Sequence, residues 1–246
     1  MEPYLYTGNN PIMFTDPTGM SKEHDFRLNK NGSMTMIRET TDESHTIFNH
    51  DMSNSITIDG KDMVHFDKFD LSSNSYSESN YSPKFSATAL GKSQVYQFVN
   101  PESSEDFYRF SAKFSDVEFG KFDGYFDGNY AGFVFTNNRS NTVSNIGLAK
   151  SLSSQGYEGI RFSHSHPSGS QNPSGYHGIK SMPWNYLKPD FQYNKGDRAN
   201  SKFINSLPGF ENTIHEVYTP KYGTFTEYYG DNKANNPSKK SYFDYN

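Results

Sequence analysis

The chain of 246 residues contains no cysteine. That excludes disulfides, cysteine nucleophiles and thiolate metal sites, so any metal must be held by histidine and carboxylate groups. Long apolar runs are also missing. No stretch approaches the roughly 20 residues of a membrane-spanning helix, and the N-terminus lacks a signal-peptide core. Hydrophobic residues are scarce at 33%. Positive charge is not in excess either; the formal net charge of −5 offers no broad basic surface, which argues against nucleic acid as the partner. What the chain has instead is aromatic rings, with 21 Phe and 18 Tyr. Such rings can fill a core from few positions while the polar remainder runs through loops. The length suits one ordinary domain plus a smaller module.

The stretch that carries chemistry runs from Ile160 to Ser174. Ile160 to Ser163 read as a short strand leading into His164, Ser165, His166 and Pro167. Residues two apart in a strand face the same way, so both imidazoles can aim at one point, as the first two ligands of a metal must. Pro167 cannot donate to a ladder and should end the pairing, leaving the histidines where a site opens to solvent. The Ser, Gly, Asn and Pro residues that follow read as a loop. His24, His45, His50 and His65 show no paired spacing and are assigned to surface or turn positions without a metal role.

Taken in order, residues 1–20 offer only turn chemistry, in Asn9-Asn10-Pro11 and Asp16-Pro17-Thr18-Gly19. Residues 21–95 read as a small β-rich module. In it Phe26–Leu28 and Met34–Arg38 flank the hairpin signal Asn31-Gly32, Ile56–Ile58 precede Asp59-Gly60, and Ser72–Ser82 form a polar linker. A second domain is expected over residues 96–234. Asn100-Pro101 should open a helix with Phe107, Phe110 and Phe114 on one face. Ser115–Gly120 reads as a strand in which Val117 and Phe119 face one side and Glu118 the other. Ala131–Phe135 predicts a further strand, and Val143–Leu152 a helix stopped near Gly156. After the histidine strand, Gly175–Gly196 is an irregular insertion holding Trp184. Asp197 is placed as the N-cap of a helix with Ala199, Phe203, Ile204 and Leu207 on its apolar face, ending at Pro208-Gly209. Thr213–Tyr218 and Thr224–Tyr229 predict a closing hairpin, and residues 235–246 a polar tail.

Two resemblances add to this reading. Tyr4-Leu5-Tyr6-Thr7-Gly8-Asn9-Asn10-Pro11, followed by Asp16-Pro17-Thr18-Gly19, resembles the end of the core repeat of Rhs/YD-repeat proteins. That resemblance implies that the chain is the C-terminal tip of a much longer polypeptide, secreted or delivered to a target cell as a toxin or effector. His164-Ser165-His166-Pro167, with seven residues between His166 and Ser174, resembles the JAB/MPN metallopeptidase (JAMM) motif. The order of helix, Glu118 strand, strand, helix and histidine strand is similar to that family's arrangement as well, over about residues 100–230. The implied fold class is α+β, a JAMM-like αβα domain with a mixed sheet flanked by helices.

By the same resemblance, Zn2+ is held by His164, His166 and one further ligand. Glu118 is the general base, and Ser174 donates a hydrogen bond to the oxyanion. The family places its Asp three residues after the Ser, and that position here is His177. Either His177 is the third ligand or the insertion has displaced the Asp to Asp197. Asp197 is favoured because it starts an amphipathic helix, whereas Pro183 breaks any helix after His177; Asp190 is a third candidate. The expected function is a zinc peptidase or isopeptidase acting on a target-cell protein, accompanied by a cognate immunity protein and with no membrane partner. The alternatives are a metal-dependent nuclease toxin using the same histidines, and a degenerate JAMM-like binding module without catalysis.

Overall fold

The computed structural model describes residues 23–40, 43–65, 94–140, 143, 146–174, 196–230 and 237–238. Its first element is the hairpin of β1 (Glu23–Leu28) and β2 (Met34–Thr40), joined by a turn in which Gly32 adopts a φ of 79°. That left-handed backbone suits glycine, and Asn31 Oδ1 accepts the Ser33 N–H at 3.1 Å to lock the turn. β3 (Ser44–Phe48) runs parallel to β1, and β4 (Ser55–Asp59) antiparallel to β3, giving a four-stranded sheet of order β2-β1-β3-β4. Asp59 then caps a 3-10 turn, Gly60–Asp62, that feeds β5 (Met63–His65).

The second sheet has seven strands. β6 (Gln94–Phe98), β7 (Gly120–Phe126), β8 (Asn129–Thr136), β9 (Glu158–Ser165), β10 (Ile214–Thr219) and β11 (Thr224–Tyr228) join β5 in the order β11-β10-β9-β7-β8-β6-β5. β9 and β10 are parallel and the remaining described pairs antiparallel, so the sheet is mixed. Side chains alternate between its faces with the period of two that strands impose. Val95, Phe122, Phe133, Phe135 and Phe162 face α2 (Ile146–Ser154) and α3 (Asp197–Ile204), forming one core with Leu148, Leu152 and Ile204. Tyr96, Phe98 and Val134 face α1 (Pro101–Phe114) on the other side. α1 begins as its sequence requires: Pro101 fills the first turn, and Asn100 Oδ1 accepts the Glu102 and Ser103 N–H groups at 2.8 and 3.2 Å. The architecture is α+β, with mixed sheets flanked by a few helices. Among the described residues no helix is long and apolar enough to cross a membrane.

The boundary expected at residue 95 does not separate two cores. It falls inside β6, and β5 from the preceding stretch completes the large sheet. Leu28, Ile47 and Ile58 share a cluster with Phe107, Tyr108, Phe110 and Phe119. The reason lies in α1, whose buried aromatic surface is wider than one stripe and is covered by the large sheet on one side and β4 on the other. His45, expected at a surface or turn, is a buried strand residue whose Nδ1 accepts the His24 N–H at 3.2 Å and whose ring lies edge-on to Phe26. Residues 1–20, Ser72–Ser82, His177, Trp184 and Asp190 lie outside the described residues, as does the tail apart from 237–238.

One layer was not foreseen. Beneath α1, Arg161, Lys121 and Asp123 are fully buried on the sheet. Arg161 reaches Glu105 of α1 at 2.7 Å, Asp123 at 2.9 Å and Glu216 of β10 at 3.1 Å. Lys121 Nζ stands 2.6 Å from Glu105 and 3.0 Å from Asp123.

Candidate metal centre

β9 delivers His164 next to Gly120 of β7, and ends at Ser165. Gly120 is required there, because a β-carbon would stand 2.3 Å from the Phe135 ring. His164 shares the face of Phe162, the one covered by α2 and α3. His166 follows the strand, its N–H bonded to the Tyr218 carbonyl at 2.9 Å. The two Nε2 atoms are 3.1 Å apart. Asp197 Oδ2 lies 3.2 Å from His164 Nε2 and 3.8 Å from His166 Nε2. Ligand atoms about 2.05 Å from zinc at the tetrahedral angle stand about 3.3 Å from one another, so these three atoms fit three corners of a zinc tetrahedron. Among the described residues, His164, His166 and Asp197 form a group that could hold a metal ion.

Each partner is oriented from behind. His166 Nδ1 lies 3.1 Å from the Ser170 carbonyl, which can only accept. The proton is therefore on Nδ1 and the Nε2 lone pair faces the site, the usual outer-shell arrangement of a metal histidine. Thr219 Oγ1 donates to the same carbonyl at 3.0 Å. Asp197 is the first residue of α3 and not, as expected, its N-cap; Gly196 holds the cap position and makes no side-chain cap bond. Ser174 substitutes for a cap from across the chain. Its Oγ accepts the Asp197 N–H at 3.0 Å, its carbonyl accepts the Arg198 N–H at 3.3 Å, and its own N–H donates to Asp197 Oδ2 at 2.5 Å. The Asp197 carboxylate is thus freed from capping and turned toward the histidines.

Glu118 sits before β7 and not within a strand, which corrects the expected Ser115–Gly120 strand. Its backbone pairing is partial: the Phe119 carbonyl accepts the Ser165 N–H and the Arg139 carbonyl the Glu118 N–H, both at 2.8 Å. Hydroxyls take the other places, Phe119 N–H donating to Ser165 Oγ at 2.9 Å and Thr136 Oγ1 to the Glu118 carbonyl at 2.8 Å. Val117 and Phe119 still point into the α1 core, while Glu118 is buried on the other side, within the electrostatic reach of His164 and Asp197.

The charges at the site are mutually tuned. Burial pushes the Glu118 carboxyl up to about 7, opposed by His164 and reinforced by Asp197. Asp197 resists its burial and is held well below the usual carboxylate range by His164, the Ser174 N–H and His166. Burial favours neutral His164, but the Asp197 charge and hydrogen bond, with Glu118, raise it overall. His166 is pushed down to about 4 by burial and the neighbouring His164. His215, beside them on β10, is a contrast. Burial lowers it to about 3, it stacks on Phe162, and its Nε2 lies 2.6 Å from Asn205 Oδ1, so it serves as a neutral core residue.

Glu118, His164, His166, Ser174 and Asp197, widely spaced in the sequence, are therefore gathered at one end of β9. Ser165, Thr136 and Ser170 were not singled out from the sequence. For Ser165, the signal was its place between the histidines, facing the opposite side of the strand. Comparison with known families matches residues 96–202, less than half of the chain, to a family described as JAB-like toxin 1. The match supports a JAB-like toxin domain and includes all five of these residues. No curated protein matches the chain, and no solved structure does.

Proposed function

We propose that this chain is the toxin tip of an Rhs-type protein and that its JAB-like domain is a zinc-dependent peptidase or isopeptidase acting on a protein of the target cell, with a cognate immunity protein as its natural inhibitor. The observation that carries this reading is the convergence of His164, His166 and Asp197 at tetrahedral spacing beside a buried carboxyl raised to about 7. Zinc bound by those three side chains would supply a Lewis acid with an open position and lower the pKa of water there to about 7. Glu118 would take the proton from the attacking water on a carboxylate oxygen and pass it to the leaving amine. Ser174 Oγ accepts the Asp197 N–H and so keeps its own proton free to donate to the developing oxyanion. Asp197 keeps its charge at the same pH and holds His164 in place.

The test is zinc content and toxicity of the full chain. Wild-type protein is expected to bind one zinc and to arrest growth of the cells that express it. His164→Ala and Asp197→Ala should lose both metal and toxicity. Glu118→Gln should keep zinc and fold but lose activity by about 100-fold or more. A folded wild-type protein that binds no zinc when metal is supplied would defeat the hydrolase reading and leave a binding module. Degraded nucleic acid in place of cleaved protein would identify a nuclease.

A further inference from the structure

Residues 23–65 lie outside the stretch that matches the family, yet one of their turns reaches the segment that carries Glu118. The Lys30 carbonyl accepts the Asp116 N–H at 2.8 Å. A β-carbon on Gly32 would stand 2.6 Å from Val117 Cγ2 and 3.2 Å from Asn138 Oδ1. Those contacts bracket Glu118, whose N–H donates to the Arg139 carbonyl at 2.8 Å and whose carbonyl accepts from Thr136. The turn itself is stiff. Asn29 N–H bonds the Ser33 carbonyl at 2.8 Å, Gly32 N–H bonds the Asn29 carbonyl at 2.9 Å, and Asn31 Oδ1 accepts from the Ser33 backbone and side chain.

We propose that the turn of residues 29–33 is a positioning element of the active site, setting the place of Glu118 while the three metal-ligating side chains come from the end of β9 and from α3. The proposal rests on the reading of Glu118 as the general base. Residues 115–118 belong to no strand, Phe119 being tied to β9 by Ser165, so their path is set by isolated hydrogen bonds and by what they pack on, and on one side that is the turn. A catalytic group must sit within roughly 0.5 Å of its productive place, and a 1 Å misplacement costs about 100-fold in rate. The small sheet thereby acquires a function: it holds the turn against residues 116, 117 and 138.

The experiment uses Gly32→Ala in the full chain, where the left-handed backbone and the Val117 contact both resist a β-carbon. Three quantities are read: zinc per chain, growth arrest on expression, and hydrogen exchange of individual amides. Exchange at Asp116 and Glu118 should quicken about tenfold, and toxicity fall by about tenfold or more, with zinc and the exchange of β9 unchanged. Gly32→Ala combined with Val117→Ala removes the Cγ2 contact while the backbone strain remains, and should recover part of the lost toxicity. Unchanged exchange and toxicity in Gly32→Ala would overturn the proposal. So would joint loss of zinc and toxicity with faster exchange throughout, which marks general destabilisation. If instead Glu118→Gln is as toxic as wild type, the reading of Glu118 as base fails, while the exchange at Asp116 and Glu118 still decides whether the turn holds that segment.

Discussion

The large sheet carries a buried carboxylate cluster on each face, and the two behave in opposite ways. Under α1, Glu105 resists its burial and is driven well below the ordinary range by Lys121, Arg161 and Arg109. At the far face, Glu118 is raised to about 7, because among the described residues burial meets only a histidine and a second carboxylate. Burial is common to both; the guanidinium and ammonium partners are not. A carboxylate whose desolvation is answered by cations is fixed in one charge state, whereas one left without them titrates where chemistry needs it. The contrast is not absolute: Glu216 remains raised because burial outweighs Arg161. Even so, Ser163 Oγ lies 3.1 Å from Glu216, and Arg161 bonds it, so its role stays within the packed layer.

The most severe way to break the comparison is Arg161→Met. It removes the cation that bonds three carboxylates and leaves them buried with Lys121 as the nearest compensation. Losing one partner of a buried ion pair costs about 3–5 kcal/mol, so urea denaturation should show a loss of at least that size, or no folded protein. Glu118→Gln, by contrast, should leave the midpoint at neutral pH unchanged or raise it. A loss below about 1 kcal/mol for Arg161→Met would mean that the layer behaves like a surface network.

A gentler test uses pH on zinc-free protein. An acid raised to about 7 in the folded state holds a proton that the unfolded chain releases near 4.5. Its contribution to stability is therefore full below about 4.5 and is lost as pH rises toward 7. Wild type should fall relative to Glu118→Gln across that window, by on the order of 1–3 kcal/mol once residual solvation is allowed for. Glu105 has the opposite sign. Its lowered folded pKa gives stability that is present above about 4.5 and lost as pH falls below it, so wild type should lose its advantage over Glu105→Gln in acid. Parallel pH profiles for the two variants would erase the distinction between the faces.

The sequence displayed one of these clusters and concealed the other, for physical reasons. His164 near the end of β9 and His166 just past it stand two apart in sequence, and Asn100-Pro101 and Asn31-Gly32 are local chemistry, so the histidine pair, the α1 start and the first hairpin were all legible. Arg161 was not, because nothing near it in sequence supplies the carboxylates; Glu105 and Glu216 arrive from 56 and 55 residues away. Glu118 was legible in its facing but not in its local structure. The hydroxyls that bond its carbonyl and the Phe119 N–H, those of Thr136 and Ser165, come from β8 and β9. The burial of the small sheet against α1 was hidden likewise, since the stripe of Phe107, Phe110 and Phe114 does not reveal that Tyr108 is buried too.

The smallest expected effect separates the two clusters most cleanly, because it compares two buried hydroxyls. Ser163 Oγ bonds the Glu216 carboxylate, and Thr136 Oγ1 bonds the Glu118 carbonyl while accepting the Asn138 N–H at 3.1 Å. Ser163→Ala should cost about 1 kcal/mol of stability, the usual net value of one intramolecular hydrogen bond, and Thr136→Val, which removes two, about 2 kcal/mol. Their effects on function should differ. Glu216 keeps its Arg161 bond when Ser163 is lost, so toxicity and zinc content should stay at wild-type levels. Thr136→Val releases the backbone of Glu118 at its carbonyl. Toxicity should then fall with zinc content unchanged, because His164, His166 and Asp197 are held by β9, Ser170 and Ser174. Equal toxicity of the two variants would mean that the clamp around Glu118 tolerates the loss of one hydroxyl, and that its placement rests on the turn of residues 29–33 and on Ser165.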